Sequence, residues 1–115
     1  MERSALRRKI PLESEIQSAI CDYLALRKHF FWRQNTSPTV QKGAEGWSFR
    51  RMPKYAMRGV ADIIVVHVGR PYFLEVKRPG SYQTPEQREF QVSAEKAGAL
   101  YAVVRSIEDV QLLGL

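Results

Sequence analysis

The sequence predicts one α/β domain, a mixed β-sheet flanked by helices in the order αβββαβα. Three observations carry this prediction. Ile16, Ile20, Tyr23 and Leu24 recur at three- and four-residue steps, which is the period of a helix with one apolar stripe. The runs ADIIVVHV (61–68) and PYFLEVK (71–77) are rich in β-branched and aromatic residues, and Gly69-Arg70 between them suits a hairpin. Thr84-Pro85-Glu86-Gln87 then offers Thr at an N-cap, Pro at N1 and Gln at N3, the start of a second helix. At 115 residues the chain has room for one domain and little more.

The elements follow in order. Residues 1–11 carry Arg3, Arg7, Arg8 and Lys9 with little apolar periodicity and read as a mobile basic arm, leaving 12–115 as the folded domain. The first helix spans about 12–28, and the aromatic run Phe30-Phe31-Trp32 continues as a buried strand through Gln34. Turn residues from Asn35 to Gly46 predict a long loop. Trp47 to Met57 alternates bulky and basic residues, as in a strand or extended arm with one wet face. After the hairpin, the second helix runs from Thr84 to about Lys96 and Gly98 closes it. Leu100–Arg105 is a last strand, and Ser106-Ile107-Glu108-Asp109 opens a short final helix.

Composition narrows the class of function. With 44% hydrophobic and 26% charged residues, the chain is neither collagen-like nor wholly disordered. It has no apolar run near the ~20 residues of a membrane span and no signal-type h-region, so no membrane association and a cytoplasmic location are expected. Cys21 is the single cysteine, which excludes an internal disulfide, and His29 and His67 lack partners at zinc spacing. No Walker loop or dinucleotide fingerprint is present. The formal charge is +6, and it is uneven: residues 1–58 hold 12 basic and 5 acidic side chains, residues 59–115 hold 6 and 7. A polyanion is the natural partner of such a field, nucleic acid first among them.

Chemistry concentrates in the hairpin. A two-residue Gly69-Arg70 connection pairs positions whose numbers sum to 139, and a shift by one residue pair makes the sum 137, with Asp62 directly facing Glu75. Either odd sum puts Asp62, Glu75 and Lys77 on one face and Ile63, Val65, Leu74 and Val76 on the other, core-packed face. Two carboxylates at cross-strand distance suit a hard divalent cation such as Mg²⁺. A neighbouring ammonium suits the orientation of water or the neutralisation of charge on a phosphate. A surface ion pair of the three residues is the plainer alternative.

Gly59-Val60-Ala61-Asp62, a strand, a Gly-Arg turn and Glu75-Val76-Lys77 resemble the metal-dependent PD-(D/E)XK nucleases, in particular the virus-type replication-repair nuclease (VRR-NUC) family. Glu13-Ser14-Glu15-Ile16-Gln17, Arg33-Gln34-Asn35, Gln87 and Val103-Val104-Arg105-Ser106 fall in the family's order, so the resemblance covers about 12–113. Ala61 stands where family members often have proline. The resemblance implies a restriction-endonuclease-like core that hydrolyses DNA phosphodiester bonds. Mg²⁺ or Mn²⁺ would be bound by Asp62, Glu75 and the Val76 carbonyl, with Lys77 positioning the attacking water. It also implies a homodimer acting on branched or four-way-junction DNA, as in stand-alone phage and bacterial relatives concerned with replication, recombination or repair. A DNA-structure-binding module with a degenerate site is the alternative, and an RNA-binding or scaffolding protein is a third.

The additional helix-1 acid lies between Glu13 and Glu15. Glu13 shares a stripe with Ile16, Gln17, Ile20 and Leu24 and is preferred, although Ser14-x-x-Gln17 also reads as a capping box that would leave Glu13 outside the helix. The resemblance puts Gln87 near the scissile phosphate, and the Thr84 capping box offers it a purely structural role. Arg33, Asn35, Arg50, Arg51, Lys54 and Arg58, interleaved with Trp32, Trp47 and Tyr55, form the candidate surface for DNA backbone and unstacked bases. Trp32, inside an apolar run, reads rather as a core or dimer contact, and Trp47 stays open between the two.

Overall fold

In the computed structural model, helix α1 (Glu13–Leu26) begins on Leu12, whose N–H donates to Glu15 Oε1 at 2.8 Å. Glu15 thus folds back on the helix start, and Glu13 and Glu15 place negative charge where the helix dipole favours it. The N-cap is Leu12, so the Ser14-x-x-Gln17 box is not the one used and Glu13 is the first residue within the helix. Ile16, Ile20 and Leu24 are the buried stripe. The helix ends by turning through Lys28 at φ +64°, with His29 N donating to Leu24 O at 3.0 Å. The structure describes residues 10–34, 40–43, 46–49 and 53–115, and of 40–43 and 46–49 the backbone. Most of the basic arm, Asn35, Arg50 and Arg51 lie outside the described residues.

Six strands follow: β1 (Phe30–Arg33), β2 (Val40–Gly43), β3 (Gly46–Phe49), β4 (Ile63–His67), β5 (Arg70–Val76) and β6 (Leu100–Val104). Helix α2 (Pro85–Lys96) joins β5 to β6, and α3 (Ile107–Leu112) closes the order. The main sheet has strand order β1-β4-β5-β6, antiparallel except for the parallel pair β5/β6 that the α2 crossover permits. This sheet matches the expected αβββαβα order. Two expectations are corrected around it. The segment read as a loop from 35 to 46 contains β2, which pairs with β3 as a separate hairpin. Of the strand or extended arm expected over 47–57, residues 47–49 belong to β3, residues 50–52 lie outside the described residues, and Lys54 and Tyr55 form a turn with Tyr55 at φ +71°.

The β4–β5 register pairs Ile63 with Leu74 and His67 with Arg70, the 137 alternative. The turn is therefore Val68-Gly69, not Gly69-Arg70. Both residues have positive φ (+50° and +73°), the backbone of a type I′ turn whose twist matches the flanking strands.

Ile63, Val65, Leu74, Val76 and Val104 pack from one sheet face against Ile16, Ile20 and Leu24 of α1, Val110 of α3 and Leu115. That face is the core, as the alternation predicts. The opposite face is covered in part by α2, where Phe90 meets Phe73 edge-on at 4.9 Å and Tyr101 at 6.2 Å between ring centroids. Among the described residues no helix is long and apolar enough to cross a membrane.

Candidate functional site

Asp62 sits just before β4 and Glu75 is the penultimate residue of β5, so the register sets them opposite each other on the face away from the core. Asp62 is tied in place at both ends. Its Oδ2 accepts from the Val76 N–H at 2.8 Å, and its carbonyl accepts from the Gln34 N–H at 2.7 Å. The Gln34 bond continues the β1–β4 ladder one residue before β4, and the Val76 bond aims the Asp62 carboxylate at β5.

Glu75 is 1% exposed, an unusual place for a carboxylate. Its Oε2 accepts from Gln87 Nε2 at 2.9 Å and lies 3.6 Å from Lys77 Nζ. Its Oε1 is buried without a partner. Burial, and next the charge of Asp62, push the Glu75 carboxyl up to about 8; Lys77 pulls the other way and Glu13 adds to the rise. Lys77 is itself 8% exposed, held by its backbone N–H donating to Val104 O at 3.0 Å.

Gln87 caps α2 and also reaches Glu75. Its Oε1 accepts from the Thr84 N–H at 2.9 Å and its N–H donates to Thr84 Oγ1 at 3.2 Å, which caps α2. The same amide's nitrogen is the Glu75 partner, so the cap orients the amide that reaches the site. Gly59 sets the distance between these parts. It has φ +74° and packs on the backbone of Glu86 and Gln87, where a Cβ would overlap the Glu86 carbonyl.

Asp62, Glu75, Lys77 and Gln87 are thus brought together, and Glu13 lies near enough for its charge to act on Glu75. Glu15 turns outward to its cap. Arg33 is exposed and donates to Gln17 Oε1 of α1. Lys54 and Arg58 are exposed on the segment leading to Gly59, Lys54 over the Tyr55 ring at 5.3 Å. Arg58 lines a cleft of about 420 Å³ together with Glu86, Glu89 and Phe90. Trp32 is 41% exposed, which corrects its reading as a core residue.

One residue was not anticipated. Tyr101, 6% exposed, pairs in register with Phe73 and so shares the face of Glu75; its hydroxyl is the second buried side-chain polar atom without a partner among the described residues. Burial pushes its phenol up to about 12. The alternation in LYAVV could have put Tyr101 and Val103 on one face, but which face depends on a parallel register that the sequence does not display.

Chemically the centre offers hard oxygen donors: both Asp62 and Glu75 carboxylates, with Glu75 Oε1 receiving no hydrogen-bond donor among the described residues and the Glu75 proton, when bound, shared with Asp62. An orphaned buried carboxylate oxygen is costly, and a cation would satisfy it while relieving the repulsion from Asp62. Two carboxylates fit Mg²⁺, which keeps much of its water. Among the described residues no group of three or more His, Cys, Asp or Glu is arranged around a common metal position, so a cation here would rest on two acidic side chains and main-chain oxygen. Compared with protein-family models, curated proteins and solved structures, the chain gives no match.

Proposed function

We propose that this protein is a metal-dependent endodeoxyribonuclease with a restriction-endonuclease-like core, acting on branched or junction DNA. The observation that supports it best is the unpartnered, buried Oε1 of Glu75 facing Asp62, with Lys77 beside them. Opposed carboxylates give no net stability to the fold, since repulsion and burial both disfavour ionised Glu75. Asp62, Glu75 and the Val76 carbonyl would hold Mg²⁺ or Mn²⁺, which supplies charge neutralisation at a phosphate and an acidified water.

The side chains divide the remaining work. Lys77, with its stem buried and its ammonium 3.6 Å from Glu75, orients the attacking water and offsets charge developing on the phosphate. Gln87 occupies Oε2 of Glu75 and so leaves Oε1 as the free donor. Glu13 adds negative charge that raises the demand for a cation. The basic excess of residues 1–58 draws the DNA backbone to the same molecule. A homodimer would bring two such centres to one junction.

The test is cleavage of linear duplex, single-stranded and four-way-junction DNA in Mg²⁺, Mn²⁺ or EDTA by wild type, Asp62→Ala and Lys77→Ala. Metal-dependent cutting lost in both variants is expected. Binding of junctions without cutting of any substrate would replace this reading with that of a DNA-structure-binding module.

A further inference from the structure

Trp32 and Ile64 are cross-strand partners, as are Ile64 and Phe73, and Phe73 and Tyr101. Cross-strand partners share a face, so Trp32 stands on the same sheet face as Asp62 and Glu75, one row along from them. Phe30, two residues away on β1 and paired with Val66, shares it too. Helix α2 covers this face at Phe73 and Tyr101. At the β1 edge the aromatic rings are open: Phe30 is 69% exposed and Trp32 41%, beside Val66 at 37%.

Exposure of one aromatic residue is ordinary. Here two rings stand together, 5.9 Å between centroids, and Trp32 is fixed by its Nε1 donating to Gln34 Oε1 at 2.9 Å. The polar atom of the indole is thus satisfied within the protein, and its π surface is what remains to offer. Arg27 and Lys28, both exposed, close α1 one residue further from this strand, with His29 between, in the half of the chain that carries the basic excess. Exposed rings on a chain of net charge +6, one row from two carboxylates, match the chemistry of nucleobases on a phosphate backbone better than that of an apolar protein surface.

We infer that Phe30 and Trp32 form a stacking platform for unpaired nucleotides of a single DNA strand that leads into the Asp62–Glu75 centre. The geometry selects single strands. The Phe30 and Trp32 rings are inclined by 60° with centroids 5.9 Å apart, whereas neighbouring bases of a duplex lie parallel at about 3.4 Å, so bases that stack on both rings must be unstacked from each other. In a duplex the base faces are already covered. The inference rests in part on the proposed nuclease reading, for which it names the substrate feature: unpaired nucleotides next to the cut.

Binding can be read without chemistry. In EDTA, a Trp47→Phe variant leaves Trp32 as the only tryptophan, and its fluorescence is followed as a short oligothymidine or a duplex of equal length is added. Quenching by the single strand, with weaker binding to duplex, is expected. By fluorescence anisotropy of a labelled oligothymidine, Trp32→Ala should bind more weakly by about fivefold or more, the loss of one stacked base, and Trp32→Phe should recover most of it. Unchanged quantum yield, equal affinity of Trp32→Ala, or preference for duplex would overturn the platform. So would a dimer in sedimentation that Trp32→Ala converts to monomer, which would assign the face to a second copy of the chain. Binding without metal-dependent cutting would sink the nuclease reading and leave the platform standing; cutting with no role for Trp32 would do the reverse.

Discussion

Glu75 holds its carboxyl in a place where ionisation is opposed both by burial and by Asp62, and this has a pH consequence. Its ordinary value is 4.5 and its value in the fold is about 8, so between these limits the native chain retains a proton that the unfolded chain has released. Stability must then fall as pH rises from about 4.5 to 8. Thermal melts without divalent ions should show this decline in wild type, and Glu75→Gln, which cannot ionise, should flatten it. An unchanged slope in the variant would remove Glu75 as its source. Gln87 permits a second experiment at this scale, because its oxygen caps α2 while its nitrogen holds Glu75. Gln87→Ala should cost about 1 kcal/mol of stability through the cap, and the proposed nuclease activity should drop by about 10- to 100-fold through the lost outer partner of a proposed metal ligand. A melt and a cleavage rate on the same sample separate the two.

Two connections between elements decide whether these residues meet. Gly59 lets the chain lie directly on the first turn of α2, and a methyl there would both strain a positive φ and overlap the Glu86 carbonyl. Gly59→Ala should therefore push α2 away, lose amide protection in its first turn by hydrogen exchange, and reduce cleavage at least as much as Gln87→Ala does. The Val68-Gly69 turn is far from this centre and carries its own strain, since Val68 is β-branched, 89% exposed and at φ +50°. Val68→Asn should raise stability by about 1 kcal/mol and leave cleavage alone. The same turn explains what was and was not legible in the sequence. The alternation of Ile63, Val65, Leu74 and Val76 was enough to place Asp62 and Glu75 on one face, because any odd pairing sum does so. Which sum held was not readable, since a valine in a left-handed position is a choice that turn preferences argue against. The β2–β3 hairpin was hidden for a related reason: Gly43 and Gly46 read as loop punctuation, and the strands that end and begin on them are only four residues each. Trp32 misled because an apolar run at a sheet edge looks, in sequence, like one at its centre.

At the scale of the whole molecule, the sheet separates two kinds of burial. Its core face joins aliphatic side chains of both flanking helices and Leu115, and truncating Leu24, fully buried there, should cost about 2–5 kcal/mol. Its other face buries a carboxylate and a lysine that do not satisfy each other fully, so the fold holds the site against an energetic gradient. A cation that binds only the native arrangement must then stabilise the whole domain, by about 2.7 kcal/mol when present at a hundred times its dissociation constant. The sign with pH follows from Glu75. As pH rises toward 8, its carboxyl becomes easier to ionise, the metal-free domain weakens, and the proposed ligand set would become better at holding Mg²⁺. Added Mg²⁺ should therefore raise the melting temperature by several degrees at pH 8 and by much less at pH 5. Asp62→Asn should abolish the increment while melting higher than wild type without metal at pH 8, because it removes the charge that repels Glu75. An increment that survives in Asp62→Asn, or one that is equal at both pH values, would place the cation elsewhere on the molecule and detach the Glu75 carboxylate from metal binding.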